Sequence, residues 1–258
     1  MSYALIPTPT HFFTETESMG KIRNAVNFAI RTVESSSFSE PMPSLILGKP
    51  GTGKTAALLK IASEDQRMIY VQASEGDRKT KGLMKTILQT MSVWHDRRFS
   101  YDLVELVVDQ INNRPNWSNA VEARDIILVD EYQSYDLGAI RELMKVCEHS
   151  FVPLILAGNQ ERLKATQVEK TALDQIQSRI GAKVSVQDHP TPKDCEKIGV
   201  TYNVEGKDAY NWLRNIGRSY SLRELTRVLD FCHDMTGGKG GIRLHHLQEA
   251  NSLFQLAV

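Results

Sequence analysis

The chain has 258 residues, 41% of them apolar and 24% charged, enough to build a real core in one large or two modest domains. Its 31 Lys and Arg balance its 31 Asp and Glu. That balance excludes a wholesale basic protein that coats nucleic acid and leaves room only for local patches.

Cys147, Cys195 and Cys232 lie far apart with no CxxC spacing, the pattern of a reduced cytosolic protein with core thiols. The first residues carry no basic leader, and no run approaches a membrane span, so a soluble, cytoplasmic chain without a membrane partner is expected.

Residues 1–18 read as extended, and apolar residues at helical spacing (Ile22, Val26, Ala29, Ile30, Val33) predict a first helix over 17–35. "SLIL" is a short buried strand, followed by a Gly-rich turn and the helical "KTAALLKIASE". "RMIYVQAS" predicts a second strand, and "GLMKTILQTMSV" and "YDLVELVVDQINNR" two helices. "DIILVDE" holds four apolar residues in a row, the sign of a strand buried on both faces. A helix over "LGAIRELMKVCEHS" and another buried strand, "VPLILAGN", follow. Strands alternating with helices predict a parallel α/β sheet covered on both sides.

After about residue 188 only helical patterns remain, over 192–198, 206–217, 221–235 and 243–256, the last two separated by "GGKGG". The expected organisation is an N-terminal extension and first helix (1–40), an α/β nucleotide-binding domain (41–188) and an all-helical lid (189–258).

Gly48, Gly53, Lys54 and Thr55 match G-x-x-x-x-G-K-[ST], after a predicted strand and at the opening of a predicted helix. Glycines let the backbone curl so that its N–H groups face phosphates, and the helix N-terminus adds partial positive charge. The expected ATP loop is Gly48, Pro50, Gly51, Thr52, Gly53, Lys54, Thr55 and Ala56. Lys54 reaches the β- and γ-phosphates, and Thr55 holds Mg²⁺.

Asp130, ending a buried strand, is the second expected Mg²⁺ ligand. Glu131 points elsewhere by strand alternation and suits a base that polarises the attacking water. Asn159, ending the next strand, is placed to orient that water or touch the γ-phosphate, though it also suits an ordinary turn.

The order strand, "GKPGTGKT", strand, "IILVDE", strand, "ILAGN", helical lid resembles the AAA+ ATPases. The resemblance implies that Arg179, in "LDQIQSRIG", is an arginine finger reaching a neighbouring subunit's nucleotide. It implies too that Arg223, in "SLREL", contacts the γ-phosphate from its own subunit. Either also suits an ordinary surface ion pair. The stretch from "LVDEYQSYDLGAIRELMKV" through "VPLILAGN" and "SRI" to "SLRELTRVLDF" is similar to the AAA+ subgroup that serves DNA transposition. That subgroup comprises the phage Mu B-type protein and the TniB and TnsC target-selection ATPases, and the similarity covers about residues 15–235. It implies an ATP-dependent assembly, ring or helical filament, of many copies on double-stranded DNA that recruits a transposase and disassembles on hydrolysis.

The Mu B-type proteins carry a DNA-binding appendage ahead of the ATPase; here about 40 residues precede the first core strand, without a helix-turn-helix pattern. DNA binding is therefore expected from the core itself. In the resembling proteins the segment after the second strand contacts the DNA backbone, which assigns Arg78, Lys79, Thr80, Lys81 and Lys85 to DNA. A solvated helix start is the plainer reading, and "HDRR" at 95–98 is a weaker basic candidate. Two other readings share the loop: a different AAA+ machine, such as a replication loader or ExeA-type secretion ATPase, and a small-molecule P-loop kinase.

Overall fold

The computed structural model describes residues 12–73, 76, 78–113, 125–159, 174–238 and 240–254. The expectations for residues 1–11, Glu75, Asp77, Leu173 and the end of the last helix lie outside these. Contacts divide the described residues into two units: Ile22–Leu47 with Thr55–Ser185, and residues 12–21 with Gly48–Lys54 and the residues from Val186 onward.

The first unit is built on five parallel strands: β1 (Ser44–Leu47), β2 (Met68–Gln72), β3 (Ile126–Asp130), β4 (Leu154–Gly158) and β5 (Ala182–Ser185). They lie in the order β2-β3-β4-β1-β5. The register sets Gln72 beside Asp130, Val129 beside Leu156 and Leu47 beside Gly158, so the strands end along one carboxyl edge. That edge is where open parallel sheets bind ligands.

Helices α1 (Glu17–Glu34), α2 (Lys54–Glu64), α3 (Thr80–Thr90), α4 (Ser100–Asn113) and α5 (Leu137–Ser150) accompany the strands. Strand alternation turns Leu45, Leu47, Ile69, Val71, Ile127, Val129, Leu154 and Leu156 into one core with Leu83, Ile87, Leu103, Val107, Ile140 and Leu143 of α3, α4 and α5. Each such side chain, fully buried, stabilises the fold by about 1.5–3 kcal/mol. On α1, Ile22, Val26 and Ala29 are buried, and the Ala25 carbonyl accepts the Ser44 hydroxyl at 2.7 Å.

Three local expectations change. No sequence pattern predicts strand β5: only Val184 among its four residues is strongly apolar, and the strand alternates between half-buried and exposed at the sheet edge. Helix α3 starts at Thr80, two residues before the predicted start, and ends at Thr90. Glu131 is not a strand residue: β3 stops at Asp130, and Glu131 is left-handed at φ 54° and ψ 38°, so strand alternation does not set where its side chain points.

The second unit carries α6 (Pro192–Thr201), α7 (Lys207–Ser219), α8 (Leu222–Met235) and α9 (Leu244–Phe254). Their apolar faces close on Ile198, Leu213, Ile216, Leu225, Val228, Leu229 and Leu247. Both α6 and α8 start with a capping box, Thr191 with Asp194 and Ser221 with Glu224.

Candidate nucleotide-binding site

Within the second unit, the loop from Gly48 to Lys54 is shaped by two left-handed residues, Gly51 at φ 85° and Gly53 at φ 87°. Only glycine takes that geometry without strain. There is no room for a side chain either: a Cβ on Gly51 would lie 2.8 Å from Ser221 Oγ, and one on Gly53 2.8 Å from Leu222 Cδ2. The start of α8 therefore packs against the loop, and the Arg223 amide donates to the Gly51 carbonyl at 2.9 Å. Inside the loop, Thr52 and Lys54 are buried. The Lys54 ammonium donates to the carbonyls of Gly48 (2.7 Å) and Lys49 (2.9 Å), and the Thr52 hydroxyl to Lys49 (2.9 Å). Pro50 is in the turn, and Ala56 is in the first turn of α2. The Arg223 side chain is exposed beside this loop, its Cβ 3.3 Å from where a Gly51 Cβ would be.

Within the first unit, Asp130 is fully buried. Its Oδ2 accepts the Thr55 hydroxyl at 2.6 Å and the Tyr70 hydroxyl at 3.1 Å, and its Oδ1 accepts the Glu131 amide at 2.9 Å. Burial pushes the Asp130 carboxyl above its usual range. The Thr55 hydroxyl, the Glu131 amide and the Tyr70 hydroxyl pull it back, and the Glu131 charge pushes it up again. Burial, then the negative charge of Asp130, raises the Tyr70 hydroxyl in turn. Thr55 and Asp130, the two residues expected to hold Mg²⁺, are thus together. Among the described residues no group of three or more His, Cys, Asp and Glu could hold an ion unaided. One hydroxyl and one carboxylate fit Mg²⁺, a hard cation that takes its remaining oxygens from phosphates and water.

At the ends of β3 and β4 stands a residue that sequence reading missed. Gln133, in the 3₁₀ turn Tyr132–Ser134, donates its amide nitrogen to the Glu131 carboxylate and accepts the Asn159 backbone N–H at 3.1 Å. Glu131 and Asn159, separate candidates in the sequence, are joined through it. The signal lay in "DEYQ", but nothing in spacing says that a glutamine reaches a neighbouring strand's end.

Arg179 is half-exposed and pairs with Glu148, its Nη1 2.9 Å from both carboxylate oxygens. It shares a recess with Arg141 and Lys145. Of the residues assigned to DNA, Lys79 immediately precedes α3, Thr80 opens it, and Lys81 and Lys85 follow in the same helix. Arg78, Lys79 and Lys81 are exposed, and Arg78 pairs with Asp136 at 3.7 Å. Past the end of α3, Trp94, Phe99 and Tyr101 are all more than half exposed, the last two stacked with centroids 5.8 Å apart.

Residues 39–165 match the family model described as AAA domain. No curated protein matches the sequence. Among solved structures, the Aeropyrum pernix ORC2 protein in its ADPNP–ADP complexes is similar at a TM-score of 0.67 and 14% identity, over 96% of this chain and 71% of that one. The Aeropyrum pernix ORC1 protein in complex with DNA is similar at 0.64 and 13%, over 96% and 68%. The Thermotoga maritima RuvB Holliday junction branch migration motor is similar at 0.52 and 18%, over 96% and 72%. At these identities the likeness is one of fold. Over residues 39–165 the chain is similar to an AAA domain, and its fold is that of the AAA+ P-loop ATPases.

Proposed function

We propose that this chain is an ATP-hydrolysing AAA+ regulator of DNA transposition, which assembles on double-stranded DNA with ATP bound, recruits a transposase and comes off on hydrolysis. The observation that carries the ATPase reading is the bond of Thr55 to buried Asp130, at 2.6 Å, in the helix that opens with Lys54.

Lys54 exchanges its two loop carbonyls for the β- and γ-phosphates of ATP. Thr55 and Asp130 hold Mg²⁺, which supplies charge neutralisation at the phosphates. Glu131 polarises the attacking water, and Asn159 orients it. Arg223 reaches the γ-phosphate from its own subunit. Arg179, on giving up Glu148, faces the nucleotide of a second copy, with Arg141 and Lys145 beside it in the same recess. Residues 41–188 carry the chemistry and 189–258 act as the lid. Arg78, Lys79, Thr80, Lys81 and Lys85 grip the DNA backbone without reading bases, as loading on many sequences requires.

The transposition role is supported by the run of motif-linking residues from 128 to 231. A second reading, a replication-initiator type of machine, is favoured by the fold shared with the ORC1 protein solved on DNA. Electron microscopy of the protein on duplex DNA, with ATP, with a non-hydrolysable analogue and without nucleotide, separates the two. Rings or filaments along random-sequence duplex, present with ATP or analogue and absent without, are expected. Discrete single particles at preferred sequences would favour the initiator reading, and equal DNA binding without nucleotide would overturn the transposition reading.

A further inference from the structure

We infer that Gln133 is a positioning residue for hydrolysis, which fixes the Glu131 carboxylate and ties it to the end of β4 at Asn159. This rests on reading the site as an ATPase.

Three observations meet here. First, Glu131 sits in a left-handed backbone conformation that a non-glycine residue adopts at a cost, and it follows the strand rather than belonging to it. A carboxylate on such a residue gets no orientation from strand pleating and needs another support. Second, Gln133 supplies one. Its amide nitrogen donates to Glu131 Oε2, while its amide oxygen accepts the Asn159 N–H at 3.1 Å. A carboxylate only accepts and a backbone N–H only donates, so the side-chain amide fits in one orientation alone. Neither Glu nor Ala at 133 can do both. Third, room is kept for it. A Cβ on Gly158 would collide with Gln133 Oε1 and fall 2.8 Å from Tyr132 Cδ1. Any side chain at 158 would expel the amide.

Gln133 is assigned neither phosphate nor water; it acts through Glu131. It also makes the Asn159 main chain and the Glu131 carboxylate one hydrogen-bonded unit. A shift of the β4 end then moves the base.

The test is steady-state ATP hydrolysis and nucleotide affinity for the wild type, Gln133→Ala and Gln133→Glu. Both variants are expected to lose between about 10- and 100-fold in kcat, the scale of a misplaced catalytic group. KM for ATP and the Kd of a non-hydrolysable analogue should stay within about twofold, since no group that binds the nucleotide is removed. Added to Glu131→Gln, Gln133→Ala should lower the residual rate no further, because its only route is gone. The Asn159 amide should exchange with solvent faster in Gln133→Ala, a readout independent of turnover. An unchanged or raised kcat, a matching loss of affinity, a fully additive double variant, or an unchanged Asn159 amide would each overturn the inference. A wild type that binds ATP without hydrolysing it would instead overturn the ATPase reading on which it rests.

Discussion

At the scale of single residues, Asp130 shows how burial and bonding compete. Its place was legible because a carboxylate closing four apolar residues has few structural uses; its environment was not, because the Tyr70 hydroxyl comes from β2 and no spacing reveals it. Glu131 was legible as chemistry but not as geometry, since its left-handed backbone breaks the alternation that the sequence invites. Burial raises the Asp130 carboxyl, so the folded chain holds a proton there more tightly than the unfolded chain does. Stability from this group is therefore present at low pH and lost as pH rises through the raised value. Asp130→Asn removes the buried charge while both hydroxyls can turn to the new amide. The nucleotide-free variant should melt a few degrees higher than wild type at pH 7, about 2–4 °C for a gain of roughly 1 kcal/mol. The gap should close toward pH 4 and hydrolysis should be lost. Melting curves across that range check it, and a variant that melts lower at pH 7 would contradict it.

At the scale of elements, α2 and α5 start and stop where periodicity and punctuation put them. β5 is not legible in the sequence because an edge strand with one exposed face needs little apolar sequence, and its partner β1 lies more than a hundred residues away in the chain. The most consequential boundary is the start of α8. The Ser221 hydroxyl accepts the Glu224 amide, and the Glu224 carboxylate accepts from Ser221. The Ser221 backbone N–H, then its hydroxyl, hold the Glu224 carboxyl below its usual range, so the box is intact at neutral pH and fails as pH falls through the lowered value. Ser221→Ala should cost about 1 kcal/mol, the usual worth of an N-cap. It should also raise KM for ATP, because the next turn of chain holds Gly51. Ser221→Asp, which keeps a capping oxygen, should recover most of the stability. Thermal melts paired with ATP titrations decide whether the cap and the loop are coupled.

At the scale of the whole molecule, zero net charge and DNA binding are compatible if many copies each offer a small basic face, because linked weak contacts multiply. The exposed surface ion pair of Arg78 with Asp136 takes little from that face. Replacing Lys79, Lys81 and Lys85 with alanine should weaken duplex binding about equally for all sequences and flatten its salt dependence. The slope of log K against log salt should fall by about 0.9 for each phosphate that the variant no longer neutralises. Fluorescence anisotropy from low to moderate salt measures it. An unchanged slope would move the DNA face elsewhere, with Arg97, Arg98 and the exposed aromatics past α3 the next to test. Among the described residues no helix is long and apolar enough to cross a bilayer.

Gly51 holds a further lesson through the Arg223 amide on its carbonyl. A ligand that pulls the loop toward itself does work on the first turn of α8. Thermodynamic reciprocity then requires that whatever grips α8 alters the ligand's affinity by the same factor. A protein partner docked on the helical unit, never touching ATP, would in this way change how tightly the nucleotide is held.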